Sequence, residues 1–220
     1  MHSILYIGEI LDTFRKRNLR IQVKERLNTL PEEFKRRASL SICQHLLRYL
    51  QSLSTPPSSL LGYIPQPEEP DSRPFYREVA SLFPHLPIGF PRVEGEDLAF
   101  YRWTGRTLPG EAPVGFPTDP AWEIGSFGIP SPSPSLPRFG KDIPWGKSPL
   151  VLVPGRVFDR QGGRIGRGKG YYDRFLRDLR QKGIDVKAVG ICFFIQLVEE
   201  VPRTESDEPI DQLITEEGIV

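Results

Sequence analysis

Only two cysteines, Cys43 and Cys192, occur in the 220 residues, and they stand far apart. They fit neither a metal-ligand spacing nor a disulfide framework, so a reducing cytoplasm is the expected setting. An excess of one charge is lacking too: 29 Lys plus Arg against 28 Asp plus Glu leave a net charge of +1. No global field draws such a chain to nucleic acid or to an anionic membrane. Long apolar runs are missing. The opening MHSILYIGEILDTF has a short one, but no basic leader precedes it and Glu9 and Asp12 follow soon. Neither a signal peptide nor a membrane span is expected there. Proline, in contrast, is abundant, with 23 residues concentrated between Thr55 and Pro149. The length suffices for one domain with a proper core and a long insertion.

Apolar residues recur at helical spacing from about Glu9 to Leu30 (Leu11, Phe14, Leu19, Val23, Leu27, Leu30), opposite a basic face of Arg15, Lys16, Arg17, Arg20, Lys24 and Arg26. On charge pattern alone that face is solvated. Thr29 followed by Glu32 predicts a capping box for a second helix, with Pro31 in its first turn. Strands are expected at Leu60–Pro65, Leu86–Phe90 and Leu98–Trp103, the last with Leu98, Phe100 and Arg102 on one face. A proline-punctuated stretch over 104–147 follows, at that length either disordered or functional in a compact domain. Its Trp122, Phe127, Phe139 and Trp145 argue that parts of it return to the core. Val186–Phe193 is almost continuously apolar and predicts a strand buried on both faces. A last strand is expected at Gln212–Ile214. Strands alternating with helices indicate α/β layers around a largely parallel sheet.

The densest chemistry lies in VPGRVFDRQGGRIGRGKGYYDRFL, Val153 to Leu176. It reads as the end of a strand at Leu150–Val153, a glycine loop, and a helix from Tyr171 to Lys182. Gly162, Gly163, Gly166, Gly168 and Gly170 are interleaved with Arg164, Arg167 and Lys169. Bare backbone N–H groups, cations and a helix N-terminus together suit phosphate. Gly163 to Lys169 has the spacing of a P-loop, but Gly170 stands where a P-loop has the hydroxyl that holds Mg²⁺. A bound nucleotide triphosphate would then need another metal ligand, and Asp173 is the nearest carboxylate. The alternative is a glycine-rich hairpin with solvated cations, Asp173 pairing with Arg177 at i+4. Tyr172 fits either the helix's core stripe or a ligand contact.

The same stretch resembles the signature of the 5-formyltetrahydrofolate cyclo-ligase family, and the resemblance runs from about Lys16 to Glu216. It implies a single domain over 1–220, with 1–10 as an N-terminal extension, and a three-layer sandwich like that of the phosphosugar isomerases and CoA-transferases. It further implies ATP- and Mg²⁺-dependent closure of 5-formyltetrahydrofolate to 5,10-methenyltetrahydrofolate through a phosphorylated formyl group. On this resemblance Lys16, Arg20, Arg164, Gly166, Arg167, Gly168, Lys169, Gly170, Tyr171 and Tyr172 bind ATP. Lys169, Arg164 and Tyr172 serve catalysis, Glu69 faces the folate, and Asp173 with Asp207 takes the metal. Ser131 and Pro149 depart from the pattern, which usually has Glu and Asp there. A non-catalytic nucleotide- or folate-binding relative is the alternative that those departures suggest. The expected partners are these small molecules, acting on a monomer without nucleic acid or membrane.

Overall fold

The computed structural model describes residues 2–105, 107–110 and 119–220, with side chains from residue 11 onward. The proline-rich stretch expected over 104–147 lies partly outside the described residues. Two helices come first, α1 (His2–Asn28) and α2 (Glu32–Ser52), then β1 (Ser59–Leu61) and α3 (Arg73–Leu82). The antiparallel pair β2 (Ile88–Glu94) and β3 (Asp97–Arg102) follows, and then a small hairpin, β4 (Trp122–Ile124) and β5 (Pro130–Pro132). The strand β6 (Pro149–Val153) leads into a second hairpin, β7 (Val157–Phe158) and β8 (Arg164–Ile165), and then α4 (Tyr171–Gln181). The chain closes with β9 (Lys187–Ile191), β10 (Gln212–Thr215) and β11 (Gly218–Ile219).

Seven strands form one sheet in the order β11-β10-β9-β6-β1-β2-β3. The five from β10 to β2 are mutually parallel, and the edges β11 and β3 are antiparallel. Alternate residues feed two cores. Leu60, Leu150, Leu152, Val189 and Ile191 join Val23, Ile42, Leu46, Phe75 and Val79 from α1, α2 and α3. Leu61, Val151, Val153 and Ala188 join Phe175, Leu176 and Leu179 from α4 on the opposite face. Helices thus cover both faces of a mostly parallel sheet. The strand expected over Val186–Phe193 is β9, Lys187–Ile191, which lies inside the sheet between β10 and β6. Each fully buried Leu or Ile on these faces contributes about 1.5–3 kcal/mol.

Several local expectations are corrected. Helix α1 begins at His2 rather than near Glu9, and Leu11 and Phe14 are more than half exposed. Among its described side chains, Leu19, Val23 and Leu27 pack against the body. Thr29 does not cap α2. Its hydroxyl donates to the Arg26 carbonyl at 2.7 Å, closing α1, and Pro31 is the N-cap without a side-chain bond. A short side chain that can bond either neighbour took the helix end over the helix start. The first strand stops at Leu61, since Gly62 must lie flat against the Tyr76 ring, where an added Cβ would fall 2.6 Å from Cε1. Within the proline-rich stretch Trp122 and Phe139 are buried and Trp145 stacks on Phe139, whereas Phe127 stands exposed. Pro130 and Pro132 sit in a two-stranded hairpin, where a missing N–H costs least.

Candidate active site

A cavity of about 570 Å³ opens beyond the carboxyl ends of β1 and β6, where parallel sheets bind ligands. Its first wall is the glycine loop, whose five glycines divide between two tasks. Gly162 and Gly163 turn the hairpin of β7 and β8. There the fully buried Asp159 accepts backbone N–H bonds from Gln161, Gly163 and Val201 at 2.7–2.9 Å. The near-P-loop spacing is therefore split by a β-strand, and Arg164 lies inside that strand with its side chain only 4% exposed. Gly166 to Gly170 form the loop proper. Gly168 and Gly170 have φ of 91° and 66°, the left-handed region that favours glycine, and Gly170 is the N-cap of α4.

Helix α1 supplies the second wall. Lys16, Arg20, Val23 and Leu27 fall at i, i+4, i+7 and i+11, so two cations continue the buried apolar stripe into the cavity. Arg15, Arg17, Lys24 and Arg26 face outward and are exposed. Arg20 Nε donates to the Gly166 carbonyl at 2.8 Å and so holds the loop. Burial, followed by the neighbouring Arg156 charge, lowers the Arg20 pKa. Lys16 forms an ion pair with Asp207. Burial opposes ionisation of Asp207, but hydrogen bonds from Lys16 and Thr204 outweigh it and hold its carboxyl below the usual range.

Asp173 does not pair with Arg177. It accepts from Arg164 Nη2 at 2.8 Å and from the Glu208 N–H at 3.2 Å, while Arg177 bonds Glu208 at 3.0 Å. The Glu208 bond ties Asp173 to the residue that follows Asp207. Among the described residues no cluster of three acidic, His or Cys side chains could hold a metal unaided. Two carboxylate oxygens, Asp173 Oδ2 and Asp207 Oδ1, nevertheless accept nothing from the described residues, and both residues line the cavity. That suits Mg²⁺, which takes one or two carboxylates and completes its shell with phosphate oxygens and water.

The remaining wall comes from the segment after β1 and from β2, β3 and β5, with Ile64, Val93, Leu98 and Ile129 as its apolar lining. Glu69 sits here, its carboxyl raised above the usual range by burial despite N–H donation from Gln66. Arg167 reaches across from the glycine loop to Glu68 at 3.2 Å and Glu69 at 3.5 Å. Glu68 also pairs with Arg156. The site thus joins a cation-rich loop to a desolvated carboxyl through an apolar slot.

The profile of the 5-formyltetrahydrofolate cyclo-ligase family matches residues 12–216. The chain belongs to this family. The cyclo-ligase of Mus musculus is 24% identical over 205 residues, covering 92% of this chain and 94% of that one. The 5,10-methenyltetrahydrofolate synthetase of Aquifex aeolicus, solved by NMR, is 30% identical with a TM-score of 0.67 and coverage of 93% and 91%. The 5,10-methenyltetrahydrofolate synthetase of Mycoplasma pneumoniae shares the fold, with a TM-score of 0.63 at 20% identity and coverage of 91% and 98%. Among the described residues no helix is long and apolar enough to cross a membrane.

Against the family pattern, every residue expected at the site lines this one cavity. Tyr172 packs its ring on the α4 core and lines the cavity, and its buried hydroxyl has no partner among the described residues. Tyr171 lies under the Arg174 guanidinium, 5.3 Å from ring centre to Cζ. Ser131, where the family usually has Glu, is buried in β5 directly across from Glu123. Glu123 brings a carboxylate to that hairpin position and binds Arg92 at 2.9 Å. Glu68, Arg156 and Tyr63 were not legible in the sequence, because only their tertiary neighbours mark them. Phe127, exposed at φ 61°, also lines the cavity, 6.0 Å from the Lys169 ammonium. Its one sequence signal was an apolar ring in a proline-rich loop.

Proposed function

We propose that this cyclo-ligase family member converts 5-formyltetrahydrofolate and ATP to 5,10-methenyltetrahydrofolate, ADP and phosphate, as a cytoplasmic monomer. The observation that carries this reading is the single cavity running from the cations of the glycine loop to the desolvated Glu69. A formamide oxygen is a poor leaving group. It attacks the γ-phosphorus, the bond to ADP breaks, and the formyl carbon becomes a phosphorylated imidate. N10 then bonds that carbon, its proton leaves to solvent, and phosphate departs with the former formyl oxygen.

Such chemistry asks the protein mainly for alignment and charge neutralisation. Lys169 and Arg167, exposed on the cavity wall, meet the transferring phosphoryl group in this reading. Lys16 and Arg20 reach the nucleotide phosphates from α1, and the backbone from Gly166 to Gly170 cradles them. Arg164, fixed by the Pro154 carbonyl at 3.1 Å, orients Asp173. Asp173 and Asp207 would hold Mg²⁺, which supplies charge screening on the phosphate oxygens. Glu69 faces the heterocycle.

The test is incubation of the purified protein with 5-formyltetrahydrofolate, ATP and Mg²⁺, following methenyl absorbance and ADP together. One methenyl product per ADP is expected. ATP binding without turnover, or ADP release without methenyl product, overturns the proposal.

A further inference from the structure

Three buried side-chain polar atoms among the described residues lack a hydrogen-bond partner in the protein: Tyr63 Oη, Arg164 Nε and Tyr172 Oη. All three residues line the cavity. Unpaired buried polar groups are costly and scarce, so their gathering at one place marks where a ligand's polar atoms go. Arg164 and Tyr172 belong to the phosphate loop and its helix. Tyr63 belongs to neither.

Tyr63 stands two residues past the end of β1, on the wall that carries Glu69. Its backbone is clamped. The Tyr63 N–H donates to the Tyr76 hydroxyl, which donates to the Tyr63 carbonyl, both at 3.0 Å. Ser72 donates to the same hydroxyl at 3.1 Å, and Gly62 lies against the Tyr76 ring. The Tyr63 side chain is 3% exposed. Burial first, then the nearby Glu69 charge, keep its phenol protonated and hence a donor. A fixed phenol donor near a carboxylate acceptor complements a lactam edge, in which a ring C=O adjoins an N–H.

We propose that Tyr63 is a substrate-specificity residue whose hydroxyl donates to the ring carbonyl of the pterin while Glu69 accepts from the adjoining ring N–H. The inference rests on the folate reading above and names the part of the substrate that this wall reads.

The test is Tyr63→Phe in the full chain. The KM for 5-formyltetrahydrofolate should rise about tenfold to a hundredfold, the return of one buried hydrogen bond, with the KM for ATP unchanged. The melting temperature should stay or rise, because the lost hydroxyl has no protein partner. In parallel, wild type should bind a tetrahydropterin at least tenfold more tightly than its analogue lacking the ring carbonyl, and Tyr63→Phe should bind both alike. An unchanged folate KM, a shift in the ATP KM instead, or a variant that keeps the carbonyl preference overturns the assignment. If the variant does not fold, equal binding of the two pterins by wild type overturns it as well. Absence of methenyl product from wild type sinks the proposed reaction but leaves the pterin comparison intact, so the two failures are distinguishable.

Discussion

The two sides of the cavity are prepared for their ligands in opposite ways. On the proposed nucleotide side nearly every charge already has a partner, although the buried Arg164 Nε and Tyr172 Oη have none among the described residues: Lys16 with Asp207, Arg164 with Asp173, Arg20 with the Gly166 carbonyl, Arg167 with Glu68 and Glu69. On the proposed reading a phosphate arriving there exchanges one ionic partner for another, so its net gain is small and position is what the protein supplies. Lys169 is the exception, making no ion pair among the described residues, and it is the cation with least to give up. On the Glu69 side the polar groups are already desolvated, and Tyr63 is unpaired. A ligand there gains hydrogen bonds whose desolvation cost was met on folding. The contrast teaches that one side trades in geometry and the other in affinity.

The sharpest way to break that contrast is Lys169→Met. With no pair to lose and an exposed side chain, the melting temperature should not move. Turnover should fall by about 2–4 kcal/mol of barrier, as for loss of a charge aimed at a transferring group. Normal turnover would remove Lys169 from the chemistry. Asp173→Asn should act on both function and stability. Activity is expected to fall about a hundredfold with a raised Mg²⁺ requirement, and stability by about 1–3 kcal/mol as the buried Arg164 loses its charged partner. Magnesium titrations beside melting curves check this. A stability loss with unshifted magnesium dependence would make Asp173 only the support of Arg164.

Glu69→Gln gives the smallest effect on rate and sharpens the other side. The folate KM should rise about tenfold, one charged hydrogen bond. Stability should move the opposite way. A carboxyl whose pKa is raised in the fold contributes fully below its ordinary value of 4.5, and that contribution is lost as pH rises through the raised value. Gln carries no such penalty. The variant should therefore melt at or above wild type at pH 7, the gap closing as pH falls toward 4.5. A variant clearly less stable at pH 7 would show that the Arg167 contact outweighs burial.

Much of the nucleotide side was legible in the sequence because it is built from local pattern. The glycine spacing and the helix after it are read along the chain, whereas Lys16 and Arg20, expected on the solvated face opposite Val23, instead continue its stripe into the cavity. What escaped depends on distant segments. Arg164 was one of a row of loop cations until β8 buried it. Arg177 looked like the partner of Asp173 at i+4, but Glu208 competes for it across 31 residues. No local pattern singles out Glu68, yet it bridges Arg156 and Arg167. Tyr63 read as one more apolar residue in a strand, since nothing local says that its hydroxyl would lack a partner.

The sheet order also sets when the cavity can exist. Leu60 pairs with Leu150, about ninety residues later, and the ion pair of Lys16 with Asp207 joins nearly the two ends of the chain. Parallel pairings of such separation form slowly, although loop closure itself grows only by about 0.6 kcal/mol per doubling of length. During synthesis the glycine loop therefore leaves the ribosome long before Asp207 does. A chain made only as far as the glycine loop holds Lys16 without Asp207, whereas Glu68 and Glu69 are already present for Arg156 and Arg167. On the proposed reading, a ligand that needs both walls can stabilise the finished molecule but meets no complete site before Asp207 has been made.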